Sequence, residues 1–432
     1  MNDFVHGIAS FFGLTEPNVR VVFWGSLILC SVSGLVGTFT FLRKRALMGD
    51  VISHSVLPGI ALAYMISHQK NPMYLIIGAV ITGWVSTFLV DYITKNSKIK
   101  NDTAIALVLS VFFGIGVMLL VHIQHSGSGS QSGLDNFIFG KASAMTKADV
   151  WLFALAGSVI ISVILIFFRG FSTISFDEAF AQSIGFPLDF LRFVLAIATV
   201  ATVAMGVQAV GVVLMSALLI TPAAAARFWT NKIGVLALLS VLFAGFSGVF
   251  GAAISYTYNG MPTGPWIVVV ISLIALFSAF FGSKTGMTRS FLQRKQNDRK
   301  ILIENTIKLF YGLTDAGNKL TKTFLFEDIL NAGNMKVGTL KNGLNLLLKH
   351  RYITLSGNQY LITPSGFNEA KAIVRKHRLW ELYISKFMNL DPDHVHDDAE
   401  GIEHIITPEI EKELEKELNF PKKDPHDSDI PY

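Results

Sequence analysis

The chain has 432 residues, with 36 Lys+Arg against 31 Asp+Glu and a single cysteine. The charges are unevenly spread: 14 Lys+Arg and 10 Asp+Glu lie in residues 1–283, about 8 % of that stretch, and 22 and 21 lie in residues 284–432, about 29 %. The first density is far below that of a soluble globular domain and the second is ordinary for one, which excludes both a wholly soluble enzyme and a purely membranous protein.

The net charge of +5 is too small and too dispersed to make a nucleic-acid platform by itself. Asp3, His6 and Glu16 precede the first long apolar stretch without a basic segment, so no signal-peptide pattern is expected. Apolar runs approaching the length that crosses a bilayer, about 20 residues, are Arg20–Leu42, Val51–Ile66, Met73–Ile93, Thr103–Ile123, Trp151–Phe168, Phe190–Arg227, Ile233–Tyr256 and Pro265–Gly282. Phe190–Arg227 is long enough for two, which gives eight or nine spans. Arg43-Lys44-Arg45, Lys95 with Lys98 and Lys100, Arg169, and Arg227 with Lys232 stand between these runs. Positive loops stay cytoplasmic, and nine spans with the N-terminus outside put every basic cluster and the polar tail inside. Cys30 lies in an apolar run, so neither a disulfide framework nor a thiolate metal site is expected.

Between spans, Ser175 to Gly185 reads as a short amphipathic helix, with Ser175 as N-cap, acids in the first turn and Gly185 as stop. On this topology it is cytoplasmic, and it fits either a docking knob for a soluble partner or a plain interfacial helix. Asp50 and His54 are spaced i, i+4 at the start of the second run, on one helix face. A carboxylate with an imidazole suits Mn²⁺, Zn²⁺ or Fe²⁺. On spacing alone Asp50 also fits a helix cap, and His54 a histidine satisfied within the bundle.

The string Arg45-Ala-Leu-Met-Gly-Asp-Val-Ile-Ser-His-Ser-Val-Leu-Pro-Gly-Ile-Ala61 resembles the signature of the metal-transporting ABC permeases of the zinc/manganese/iron type. Asn101-Asp-Thr-Ala-Ile105, Phe176-Asp-Glu-Ala-Phe180 through Ile184-Gly-Phe-Pro187, Gln208-Ala-Val-Gly-Val212, Leu218 through Arg227 and Pro262-Thr-Gly264 match in order. The resemblance implies an importer for a divalent transition metal. Asp50 and His54 would be pore ligands, and Phe176, Asp177, Glu178 and Gly185 part of the helix that couples to the ATPase. It also implies a cytoplasmic ABC ATPase, an extracytoplasmic metal-binding protein and a second permease subunit, in a homo- or heterodimer embedded in membrane lipid. The chain has no Gly-x4-Gly-Lys-Ser/Thr phosphate loop, so it is not expected to be an enzyme, and ATP hydrolysis is expected in a separate subunit.

In the tail, Ser283–Lys300 reads as a linker and Ile301–Leu313 as a helix. Thr323–Asn331 and Lys336–His350 read as two further helices, followed by a hairpin of Tyr352–Leu355 and Gln359–Ile362. This is the order of a winged-helix module. Helices from Phe367 to Met388, His396 to Ile406 and Pro408 to Leu418 complete it. His377 with Glu381 share one face, and His396, Glu400, Glu403 and His404 share another, which suits an N/O-ligand divalent site or a solvated charged face. Thr363-Pro-Ser-Gly366, Arg375 through Glu381, Val395 through His404 and Pro425 through Pro431 resemble the iron/manganese-dependent, diphtheria-toxin-repressor-like regulators. The resemblance implies an ancillary metal site at His377, Glu381 and His396 and a primary one at Glu400, Glu403 and His404. In its first helix Asn305 and Lys308 stand where ligands are usual in that family. Lys336, Lys341, Lys349 and Arg351 suit phosphate contacts, but Glu327, Asp328 and the near-neutral tail disfavour sequence-specific DNA binding.

The expected architecture is an all-α polytopic membrane bundle of eight or nine transmembrane helices, then a cytoplasmic winged-helix module and a helical metal-binding and dimerisation region. The expected domains are a permease domain at 1–283, a linker at 284–300, a winged-helix domain at 301–366 and the metal-binding domain at 367–432. The expected location is the bacterial cytoplasmic (inner) membrane, with the tail in the cytoplasm sensing manganese, iron or zinc. A membrane-tethered metal-dependent transcriptional regulator and an importer with a purely structural tail are the alternatives.

Overall fold

A computed structural model describes residues 2–43, 45, 47–68, 71–125, 145–257, 261–314, 322–333, 335–388, 402, 404, 406–426 and 428–432. The chain divides into two compact units, Met1–Ser290 and Phe291–Tyr432.

The first unit is helical. Helices α1 (Asn2–Phe12), α2 (Pro17–Leu42), α3 (Met48–Ser67), α4 (Pro72–Asn96), α5 (Asn101–His125), α6 (Lys147–Ile166), α7 (Phe168–Phe176), α8 (Glu178–Ser183), α9 (Leu188–Val210), α10 (Val212–Arg227), α11 (Ile233–Thr257) and α12 (Thr263–Phe281) follow in order. Among the described residues eight helices are long and apolar enough to cross a membrane: α2 to α6, α9, α11 and α12. Local signals start them. Prolines stand in the first turns of α2 and α4, where a missing N–H does no harm. Asn71 Oδ1 accepts from Met73 N at 3.0 Å, and Thr146 with Asp149 forms a reciprocal capping box on α6. The Phe190–Arg227 run does divide in two, at Gly211, whose φ of 90° and ψ of 160° no helix accommodates. The second piece, α10, has 16 residues, about 24 Å at 1.5 Å per residue, shorter than a hydrocarbon core of about 30 Å.

Helix α2 is central and packs against α6, α9, α10 and α11. Its residues from Val32 to Thr40 are all buried, and Cys30 is wholly so. Where α3 crosses α4 the backbones nearly touch: a Cβ on Gly59 would stand 2.1 Å from Gly78 O, and one on Gly78 would stand 2.4 Å from Gly59 O. Small residues permit such crossings in a bilayer, where apolar burial gives helices no driving force to associate.

The second unit begins within α13 (Met287–Leu313), then continues as β1 (Thr323–Leu325), α14 (Phe326–Ala332), α15 (Val337–Lys349), β2 (Ile353–Ser356), β3 (Gln359–Ile362), α16 (Pro364–Met388) and α17 (Pro408–Glu417). The segment expected as a linker is mostly helix. Residues 287–300 contain no glycine or proline to stop it, and all are exposed. The sheet order is β1-β3-β2, antiparallel throughout. Thr323–Leu325, expected as helix, is a strand: Phe324 enters the core while its neighbours face out, and Thr323 pairs with Leu361. The core joins Ile307 and Phe310 of α13, Leu340, Leu344 and Leu347 of α15, Ile353, Ile362 and Ile373. Helix α17 and the C-terminal residues are tied to α16 by Arg375 to Glu411 at 2.6 Å and by Arg378 to Asp424 at 3.3 Å. The helix expected from His396 to Ile406 lies largely outside the described residues.

A Gly59→Ala substitution is expected to push α3 off α4 and lower stability by about 1–3 kcal/mol, the usual penalty of overpacking. Gly114→Ala in α5, with nothing within 4 Å of its Cβ, is the neutral control. Thermal unfolding of the two purified variants in detergent checks the difference.

Candidate metal sites and coupling surface

Asp50 lies in the first turn of α3, whose N-cap is Leu47 with no side-chain capping bond. Asp50 is therefore not the cap: the helix starts early enough to place its carboxylate inside the first turn, where the helix dipole favours an anion. Both Asp50 and His54, one turn on, are half-buried. The His54 ring packs edge-on against Phe113 of α5, with centroids 4.9 Å apart at 86°. Its Nδ1 is shielded from solvent and has no hydrogen-bond partner, and the same holds for the hydroxyls of Ser53 and Ser55 beside it. Buried polar atoms are normally matched, and a carboxylate and an imidazole one helical turn apart are donor types that a divalent cation takes. Among the described residues no group of three or more His, Cys, Asp or Glu comes together. A first-row divalent ion takes four or more ligands, more than Asp50 and His54 of one copy make up.

The short helix α8 is held by charge. Ser175, expected as its cap, belongs to the preceding helix α7, and its hydroxyl donates to Phe171 O at 2.6 Å. Asp177 caps instead, its Oδ1 accepting from Phe180 N at 2.9 Å. Gly185 ends the turn at φ 86°, as expected. Glu178 bridges two arginines: Arg43, just past α2, lies 3.2 Å from Oε1, and Arg192 of α9 binds Oε2 while also standing 3.4 Å from Asp189. Partial burial pulls the Glu178 pKa upward, but the hydrogen bond and charge of Arg192 and the charge of Arg43 outweigh it and hold it below the usual carboxylate range. Burial, then the neighbouring Arg45 charge, lowers the Arg43 pKa, and Glu178 counters them. Beside the exposed Asp177, Gln182 and Ser183, α8 and its flanks expose three large apolar side chains: Phe176 at 63 %, Phe180 at 55 % and Ile184 at 52 %. Of these, only Phe176 was singled out from the sequence. The repeated i, i+4 apolar spacing was the available signal for the other two.

In the second unit two imidazoles meet α13. The His404 Nδ1 lies 2.5 Å from Glu304 Oε2, and Lys300 Nζ donates to His404 O at 3.0 Å and stands 3.7 Å from Glu304 Oε1. Glu304 is buried at 9 % exposure. It is one residue from the position that the resemblance pointed to, Asn305, and sequence reasoning missed it. His377 and Glu381 form the expected i, i+4 pair on α16, with Nε2 and Oε1 3.0 Å apart and both side chains buried. Lys308 Nζ stands 3.2 Å from His377 Nδ1. Glu304 with His404 and Glu381 with His377 are each a carboxylate–imidazole pair, and an ammonium stands by each, Lys300 at Glu304 and Lys308 at His377. His396, Glu400 and Glu403 lie outside the described residues.

Comparison with known proteins gives the context. Residues 16–282 match the ABC 3 transport family, and residues 363–432 match the iron dependent repressor, metal binding and dimerisation domain. The chain is 36 % identical over 378 residues to the manganese transport system membrane protein MntC of Bacillus subtilis, covering 87 % of this chain and 86 % of that one. It is 39 % identical to the zinc transport system membrane protein TroC of Treponema pallidum, over 65 % of this chain and 95 % of that one. Among solved structures, PsaBC from Streptococcus pneumoniae in complex with Fab superposes with a TM-score of 0.58 at 32 % identity, over 64 % of this chain and 97 % of that one. The eight apolar helices are those of a multi-pass membrane protein, and the chain belongs to the ABC 3 transport family, extended at its C-terminal end by a repressor-type metal-binding and dimerisation domain.

Proposed function

We propose that the chain is the permease subunit of an ABC importer that carries a divalent transition metal across the bacterial cytoplasmic membrane. The observation that carries this reading is the placing of Asp50 and His54 one turn apart on a membrane helix, with a buried ring nitrogen left unmatched. Two such permeases, identical or different, bring four ligands together, enough to select a cation and few enough to release it. Manganese, iron and zinc all suit a carboxylate–imidazole set, and the named functions of MntC and TroC favour manganese and zinc. An extracytoplasmic protein delivers the ion, and a separate cytoplasmic ATPase supplies the energy.

The ATPase docks on α8 through Phe176, Phe180 and Ile184. Glu178 transmits its movement, tying α8 to the end of α2 through Arg43 and to α9 through Arg192. The tail lies in the cytoplasm, its three strands and helices α13 to α15 forming a winged-helix-type module. It binds metal through Glu304 and His404, completed by Glu400 and Glu403, and damps uptake when internal metal is abundant. That is coupling between two sites, and it requires the ion to favour one transporter state over the other.

Asp50→Ala or His54→Ala is expected to reduce metal uptake by reconstituted vesicles to background while the permease still co-purifies with its ATPase. Normal uptake by both variants removes the pore assignment. Glu304→Ala with His404→Ala is expected to leave uptake capacity intact and weaken its shut-off in metal-loaded vesicles. For Glu178 the sign follows from its depressed pKa: its contribution is present above the ordinary carboxylate value and lost as pH falls through the folded value. Glu178→Gln is expected to lack this acid-side loss when thermal unfolding is followed against pH.

A further inference from the structure

We propose that the Lys308 ammonium is a built-in cation between α13 and α16, holding the place of a metal ion and closing the His377–Glu381 pair to metal. Glu304 and Lys308 are one turn apart on α13 and so share a face. Each meets an imidazole, but with opposite charge: the Glu304 carboxylate faces His404, and the Lys308 ammonium faces His377. In the first arrangement the ammonium of Lys300 stands at the edge, 3.7 Å from Glu304 Oε1, whereas in the second the ammonium of Lys308 bonds the ring itself.

The hydrogen bonds explain the exclusion. An ammonium has only donors, so His377 Nδ1 is its acceptor, and the ring proton then sits on Nε2. That proton is directed at Glu381 Oε1, 3.0 Å away. Both ring nitrogens are engaged, in the order ammonium, imidazole, carboxylate. The lysine's positive charge thus lies one ring away from the buried Glu381 carboxylate. A transition metal needs a bare ring nitrogen at about 2.0–2.1 Å, and reaching Nδ1 would set a dication against the ammonium. On the reading that the tail binds metal at Glu304 and His404, which this inference rests on for its stoichiometry, each tail takes one ion.

The test uses the full-length chain in detergent, carrying Asp50→Ala and His54→Ala to silence the pore, with bound Mn²⁺ counted per chain after equilibrium dialysis. One ion is expected with Lys308 in place and two in Lys308→Glu. Two ions with Lys308 in place, or no gain in Lys308→Glu, overturns the proposal. A second arm needs no metal. In chelator, the tail of Lys308→Met is expected to be digested about tenfold faster by a protease, since a charge-assisted buried bond is lost, while Lys308→Arg keeps its protection. Equal protection of Lys308→Met and the parent overturns the built-in cation. If the parent binds no Mn²⁺ but Lys308→Met loosens as expected, the metal-sensing reading of the tail falls and the built-in cation stands.

Discussion

Hydrocarbon offers a backbone no water to bond, and the first unit is organised around that constraint. Every described span is a helix, and many hydroxyls that the spans carry fold back onto their own helix. Thr38 donates to Gly34 O at 2.9 Å, Thr87 to Gly83 O at 2.9 Å, Thr199 to Leu195 O at 2.8 Å and Thr202 to Ala198 O at 2.7 Å. Shape then decides which helices pair. Hence the glycines facing each other between α3 and α4, and the hydroxyl link from Ser240 to Gly34 O at 2.7 Å between α11 and α2. Against this background Asp50 and His54 are a carboxylate and an imidazole one turn apart on a membrane helix, and the His54 Nδ1 lacks a bond of the kind those threonines make.

Charge is used differently at the polar ends. Arg43, Arg192 and Glu178 join segments far apart in sequence, and the same economy recurs in the tail, where Arg375 and Arg378 fasten the C-terminal residues to α16. Each of these arginines is at least partly buried, which is where an ion pair with two or more hydrogen bonds counts for most. Of the basic residues of 287–300, Lys300 makes such a long-range tie, to His404 O.

The spans were legible because a run of about 20 apolar residues rarely serves any purpose but crossing a bilayer. The break in Phe190–Arg227 was legible from length, and its position at Gly211 only from structure, since glycine is abundant in these helices. The β2–β3 hairpin announced itself through Ser356-Gly-Asn358. Strand β1 did not: three residues carry no periodicity, and their partner lies 36 positions away. The tie between Arg43 and Glu178, 135 residues apart, leaves no local trace. Asp177 rather than Ser175 caps α8 because α7 runs further than its sequence suggests. In the tail, the pairing of Glu304 with His404 turns on a one-residue rotation of α13, about 100° of helix, which spacing alone does not resolve.

The buried cysteine has a practical consequence. Cys30 is the chain's one thiol, and it sits with no exposed surface in the middle of the central helix. A thiol shielded in this way is inert toward water-soluble maleimides and methanethiosulfonates. The native protein is therefore a blank background for site-directed labelling. A cysteine introduced on any exposed turn becomes the sole reactive position, so spin labels, fluorophores and cross-linkers report on one chosen place without first rebuilding the core.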